Sequence, residues 1–180
     1  MNTANNQSTQ QINTAPFAPR EAHQPDAFKP QLPTPMSQVI TAAQTLQRFI
    51  TPQELEVLGN AVRGEEGEFW KAKLVELAEL VSSMPCTYQT DGQGDKAIAW
   101  LHYFTPSSDF YITERDESNE QHQAFGLAVI WEEELGYISI SELLECGVEL
   151  DLYWTPCTLS QVKAERLMSD TNYTGHPMHY

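Results

Sequence analysis

Between residues 96 and 153 no apolar run lasts more than a few residues before turn chemistry interrupts it, and this punctuation limits the fold more than any other feature. The stretch reads KAIAWLHYFTPSSDFYITERD, then QAFGLAVIWEEELGYISISELLECGVELDLY, and it concentrates aromatic and β-branched residues. Residues 97–104 alternate, with Ile98, Trp100, His102 and Phe104 on one side and Ala97, Ala99, Leu101 and Tyr103 on the other. Both sides are largely apolar, the pattern of a central strand covered by helices on at least one face. Thr105-Pro106-Ser107-Ser108-Asp109 is a turn, and residues 110–114 return as the second arm of a hairpin. Third and fourth strands are expected at 124–131 and 137–140, joined by the acidic turn 132–136. A short helix at 141–146 stops at Gly147, and a fifth strand covers 148–153.

Upstream the period changes. Val39, Ile40, Ala43, Leu46 and Phe49 share a helical stripe in residues 37–49. Thr51-Pro52-Gln53-Glu54 carries a helix start: an N-cap threonine, proline at the first helical position and glutamate at the third. That helix presents Leu55, Val57, Leu58 and Val62. A third helix opens with Glu65, Glu66 and Glu68, carries Trp70, Leu74, Leu77, Ala78 and Val81, and ends before Pro85. Downstream, Thr158-Leu159-Ser160-Gln161 has capping-box spacing and opens a closing helix to about Leu167.

Helices followed by strands predict an α+β fold: a mainly antiparallel sheet of about five strands with the N-terminal helices packed on one face. The expected organisation is one domain over residues 37–167, helical in 37–84 and sheet-forming in 96–167. Residues 1–36 are rich in Pro, Gln and Asn without a helical or strand period, so a disordered tail is expected, with Phe17 and Phe28 as isolated aromatics. Residues 168–180 are expected to fray.

Charge narrows the partners. Ten Lys and Arg stand against 25 Asp and Glu, a formal net charge of -15, and such a surface repels a phosphate backbone. Direct nucleic-acid binding is disfavoured and a basic host protein or nucleoprotein complex is favoured. Cys86, Cys146 and Cys157 are an odd set without C-x-x-C spacing, and the opening MNTANNQSTQQ has no hydrophobic signal segment. With no apolar run long enough for a membrane span, a soluble cytoplasmic protein with free thiols is expected.

The order Tyr111-Ile112-Thr113-Glu114-x-Asp116, Phe125-Gly126, Glu134-Leu135-Gly136-Tyr137-x-Ser139-x-x-Glu142-Leu143 and Glu149-x-Asp151-x-Tyr153-x-x-Pro156-x-x-Leu159 resembles a domain-of-unknown-function family of bacterial plasmids, integrative elements and phages. The likeness spans residues 97–162. It implies an accessory protein of a mobile element and carries over no catalytic residue.

Between Asp109 and Asp151 twelve carboxylates face Arg115 alone, a net of -11. As candidate partner-binding residues this selects Glu114, Asp116, Glu117, Glu120, Glu132, Glu133, Glu134, Glu142, Glu145, Glu149 and Asp151. They would project to solvent and present a negative face to a basic partner, in imitation of a phosphate backbone. For a mobile-element protein that implies an anti-defence inhibitor of a host nuclease or DNA-binding complex. Their plain alternative is a solvated surface that guards strand edges.

An enzyme is the second expectation. Glu114 and Asp116, two apart on a strand, would point to one face and share a cation such as Mg2+, with His102 approaching from the hairpin partner. Against it, H-E-x-x-H, paired-Cys zinc spacing and G-x-S-x-G are absent from the sequence, and His102 between Leu101 and Tyr103 reads as a hydrogen-bonded core histidine. A plasmid maintenance or transfer factor is the third expectation. No cofactor is implied. Thr90 to Lys96 lacks the Lys-Ser/Thr step and following helix of a phosphate loop, and His176 and His179 lie in a Gly/Pro tail. Cys157, just before a capped helix, is the one thiol placed for reactivity, but with no partner histidine to assign it reads better as an inert small hydrophobe. The aromatics outnumber what one thin core needs, and in an acidic segment they fit core packing or a protein-binding patch better than base stacking.

Overall fold

The computed structural model describes residues 33–173, with side chains as far as Met168. Of the expected tails, 1–36 and 168–180, residues 1–32 and 174–180 lie outside the described residues, while Met36 already belongs to the first helix and 168–173 to the last. Three helices come first: α1 (Met36–Leu46), α2 (Pro52–Ala61) and α3 (Gly67–Ser83). The predicted capping box forms in full at α2. Thr51 Oγ1 accepts from the Glu54 amide at 3.1 Å, and Glu54 Oε2 accepts from the Thr51 amide at 2.8 Å. Two of the orphan donors at that helix start are thereby satisfied.

The strands are β1 (Ile98–Ala99), β2 (Leu101–Thr105), β3 (Ser108–Glu114), β4 (Ala124–Val129), β5 (Glu133–Ile138), β6 (Glu149–Leu150) and β7 (Cys157–Thr158). Helix α4 (Ile140–Glu145) separates β5 from β6, and α5 (Leu159–Tyr173) closes the chain. Five strands form one antiparallel sheet in the order β5-β4-β3-β2-β6, while β1 and β7 pair apart from it. The fold is α+β, as the pattern of elements predicts.

Several boundaries differ for physical reasons. The run 97–104 is not one strand: it breaks at Trp100, where β1 leaves for β7 and β2 joins β3 and β6. Side-chain parity inverts there, so Ala99 and Leu101 pack in different clusters. Glu133 and Glu134, expected in a turn, extend β5 by pairing with Val129 and Ala128. The fifth strand shrinks to two residues because Asp151 starts a turn, its Oδ1 accepting from the Tyr153 amide at 3.0 Å. Helix α5 runs to Tyr173, past the expected end at 167.

The sheet separates two apolar clusters. On one face α1, α2, α3 and α4 pack over Leu101, Tyr103, Ile112, Ala124, Ile138 and Leu150. Tyr103 is fully buried there and donates its hydroxyl to the Phe49 carbonyl at 2.8 Å. Helices therefore cover one face as expected, but α5 covers the other, setting Leu159 and Val162 against Tyr111, Leu127 and Val129. Gly126 is required at the β3–β4 contact, since a Cβ there would stand 2.1 Å from the Tyr111 carbonyl oxygen.

Candidate functional site

The eleven candidate carboxylates do not form one face. Glu114 is 3% exposed and turned inward. Its Oε2 accepts from the Tyr88 amide at 2.8 Å, and its Oε1 from the Thr90 amide at 2.5 Å and the Thr90 hydroxyl at 2.6 Å. It straps residues 85–90 along the end of β3, where Arg115 and Pro85 also exchange a backbone bond of 2.9 Å. Tyr88 takes φ 75° to make that turn, a left-handed conformation seldom used by a bulky residue.

Asp116 is buried as well and organises the next loop. Its Oδ1 accepts from the Ser118 amide at 2.9 Å; its Oδ2 accepts from the Ser118 hydroxyl and the His122 and Gln123 amides, each at 3.0 Å. Burial opposes ionisation of this carboxyl, but the bonds from Ser118, Gln123 and His122 outweigh it and hold its pKa below the ordinary value. The expectation that these two acids project to solvent and share a cation is corrected. Each carboxylate has both oxygens committed to a different loop, and a β-bulge between Ile112 and Glu114 breaks the simple two-residue alternation. Among the described residues no group of three or more His, Cys, Asp or Glu side chains is placed to hold a metal ion.

His102 does not join them. It belongs to a row of side chains running across the α5 face of the sheet. Strand register aligns Leu135, Leu127, Tyr111 and His102, and the Asp151 amide bonds the His102 carbonyl at 2.8 Å. The neighbouring row aligns Glu133, Val129, Asp109, Phe104 and Glu149. Between the rows, His102 Nε2 lies 3.0 Å from Asp109 Oδ1 and Nδ1 lies 3.3 Å from Asp151 Oδ2. Arg166, reaching over from α5, meets Asp109 Oδ2 at 2.5 Å and Glu133 Oε1 at 3.9 Å.

The imidazole is stacked on Tyr111 at 4.6 Å between centroids and 7° between planes, with Trp154 at 5.0 Å. The Trp154 indole donates to the Ala99 carbonyl at 2.9 Å, which fixes that ring and locks β1 to the clasp. Burial pushes the Tyr111 phenol above its ordinary pKa, against the pull of Arg166. Burial also works against the Arg166 charge, but Tyr111 and Asp109 outweigh it and raise its pKa.

The chemistry follows from the ring. Each of the two imidazole nitrogens faces a carboxylate of the protein, Asp109 at one and Asp151 at the other, so the ring bridges β3 and the turn after β6. The cluster clasps β2, β3, the turn after β6 and α5 together, as the core-histidine reading expects. Of this set the sequence reading selected Asp151 for a partner-binding role. Asp109 falls in the expected turn but pairs with Phe104 inside β3, Trp154 is one of the surplus aromatics of the sequence, and nothing local marks Arg166.

Eight candidates remain exposed: Glu117, Glu120, Glu132, Glu133, Glu134, Glu142, Glu145 and Glu149. They fall in groups. Glu132, Glu133 and Glu134 lie around the β4–β5 turn, with Trp131 beside them 95% exposed. Glu117 and Glu120 lie in the loop organised by Asp116, and Glu142 and Glu145 lie on α4. Glu149 is on the edge strand β6. No disulfide joins the three cysteines, and no helix among the described residues is long and apolar enough to cross a membrane. Comparison with known proteins finds no matching family model, no matching curated protein and no similar solved structure.

Proposed function

We propose that this protein is an acidic, non-catalytic binding module that engages a basic protein partner in the cytoplasm. The observation that carries the reading is the fate of its charge. Eight of the eleven candidate carboxylates stay exposed, and Glu133, 3.9 Å from Arg166, is the one among those eight facing an arginine or lysine at ion-pair distance among the described residues. Exposed like charges at this density destabilise a compact chain slightly and accelerate encounter with an opposite field. The resemblance to a mobile-element family supports a narrower version. The partner is then a host nuclease or other nucleic-acid-binding defence protein, whose basic groove these carboxylates occupy in place of phosphates.

The test is capture of basic host proteins by the immobilised full chain at about 0.05 M and about 0.5 M salt, a span over which screening shortens several-fold. Capture lost at high salt supports the module. Capture indifferent to salt overturns it.

A further inference from the structure

Beside the His102 clasp, and sharing Asp151 with it, a cleft of about 690 Å3 lies between α2, α3 and the segment from α4 to Tyr153. Its walls are apolar: Val57, Trp70, Phe104, Leu144, Leu152 and Tyr153. Three of these are left open to solvent, Val57 at 66%, Tyr153 at 67% and Phe104 at 38%. Single exposed apolar residues are ordinary, but three converging on one hollow are not. Trp70 and Tyr153 meet edge to face at 6.5 Å and build the corner. Val57 is the residue that departs from the expected α2 stripe; it faces the cleft instead of the core.

The rim is acidic throughout. Glu54, Glu145, Glu149 and Asp151 line the cleft, and among the described residues no lysine or arginine does. Tyr153 is shared with a second hollow bounded by Glu65, Glu66, Glu68 and Phe69, so the negative margin continues past the corner. Glu54 and Asp151 are held by internal bonds, whereas Glu65, Glu66, Glu145 and Glu149 have no ion-pair partner among the described residues. Glu54 Oε1 also accepts from the Leu150 amide at 3.0 Å, which blocks that donor of the edge strand β6. A ligand here is therefore anchored by side chains and not by strand addition at Leu150.

We propose that this cleft is where the partner is held, and that its occupant is a short protein segment with an aromatic or aliphatic anchor flanked by Arg or Lys. The proposal rests on the acidic-module reading and names the place and chemistry of its contact. Charge selects this occupant: a second copy would bring another -15, and a phosphate chain would meet the same carboxylates.

The probe is a fluorescent peptide of about nine residues that alternates Arg with Trp and Leu, long enough to cross such a groove. One control peptide replaces Trp and Leu by Ser, and another replaces Arg by Glu. The full chain is expected to bind the first and neither control. Val57→Arg, at an exposed helix position, and the pair Glu145→Gln/Glu149→Gln should each weaken binding about tenfold or more, as loss of a hot-spot contact does. Glu132→Gln/Glu133→Gln/Glu134→Gln, at the far edge of the sheet, should leave it within about twofold, like a contact outside a hot spot. Circular dichroism confirms folding of each variant.

Equal affinity for the Ser peptide, or binding unmoved by Val57→Arg, overturns the cleft. The module reading then stands if basic host proteins are still captured in a salt-sensitive way, and falls with it if they are not. Concentration-dependent dimerisation abolished by Val57→Arg assigns the cleft to a second copy and also overturns the proposal.

Discussion

The two faces of the sheet are built on opposite principles. The face under α1, α2, α3 and α4 is filled by aliphatic residues with a few aromatics such as Phe49 and Tyr103, and Leu101, Ile112 and Ile140 are at 1% exposure or less. The face under α5 has a smaller apolar cluster, and beside it lies the His102 clasp of two carboxylates, a guanidinium and stacked rings. Burial of apolar area is non-directional and forgives small shifts. A clasp of charges depends on each partner, because removing one leaves another poorly solvated. The lesson is that one face supplies bulk stability while the other sets geometry, holding β6 and its turn where the cleft can form.

That contrast can be broken by mutation. The largest effect belongs to the helix-covered face: Ile112→Ala should cost about 2–5 kcal/mol in chemical denaturation. Val129→Ala, at the margin of the smaller cluster, should cost less, in the ordinary range of about 0.5–3 kcal/mol. Equal losses would erase the distinction between the faces.

Next come the inward carboxylates. Glu114→Ala strands the Tyr88 and Thr90 amides and should cost about 1–3 kcal/mol, with faster proteolysis of residues 85–92. Asp116 adds a pH signature. Its folded pKa is held low, so its contribution is complete above the ordinary carboxylate value and drains away as pH falls through the folded one. Asp116→Asn should therefore be the less stable protein at pH 7, and the gap should close as pH falls below about 4. A gap that widens in acid would reverse the assignment.

The clasp is tested by coupling. A double-mutant cycle of His102→Ala with Asp109→Ala should return an interaction of about 0.5–3 kcal/mol, and simple additivity would mean the cluster is not a unit. The smallest effect sharpens the other side of the comparison. Glu132→Gln/Glu133→Gln/Glu134→Gln changes the formal charge from -15 to -12, yet should move stability by no more than about 0.5 kcal/mol, since all three are exposed.

Much of the architecture was legible because its signals are local. The α2 capping box and its counterpart at α5, where the Thr158 amide and Gln161 Oε1 meet at 2.9 Å, involve residues three apart. The α3 stripe of Leu74, Leu77, Ala78 and Val81 is buried as its spacing predicts. The β2–β3 hairpin follows from a proline turn between alternating arms. Errors occur where one stretch serves two masters. Trp100 divides a run with continuous alternation because its two halves pair with different strands, and Ile40, on the expected α1 stripe, is exposed.

The sequence by itself determined the succession of elements, the caps and the excess of negative charge, since each depends on composition or on neighbours within a turn or two. Only the tertiary structure decided which carboxylates serve the fold and which face water. Glu114 and Glu134 look alike in the chain, but one meets amides 24 and 26 residues upstream and the other meets solvent. His102 finds Asp151 at a separation of 49 residues and Asp109 finds Arg166 at 57. Such pairs depend on which strand becomes the neighbour of β2 and which helix crosses the sheet, and no local period encodes that choice.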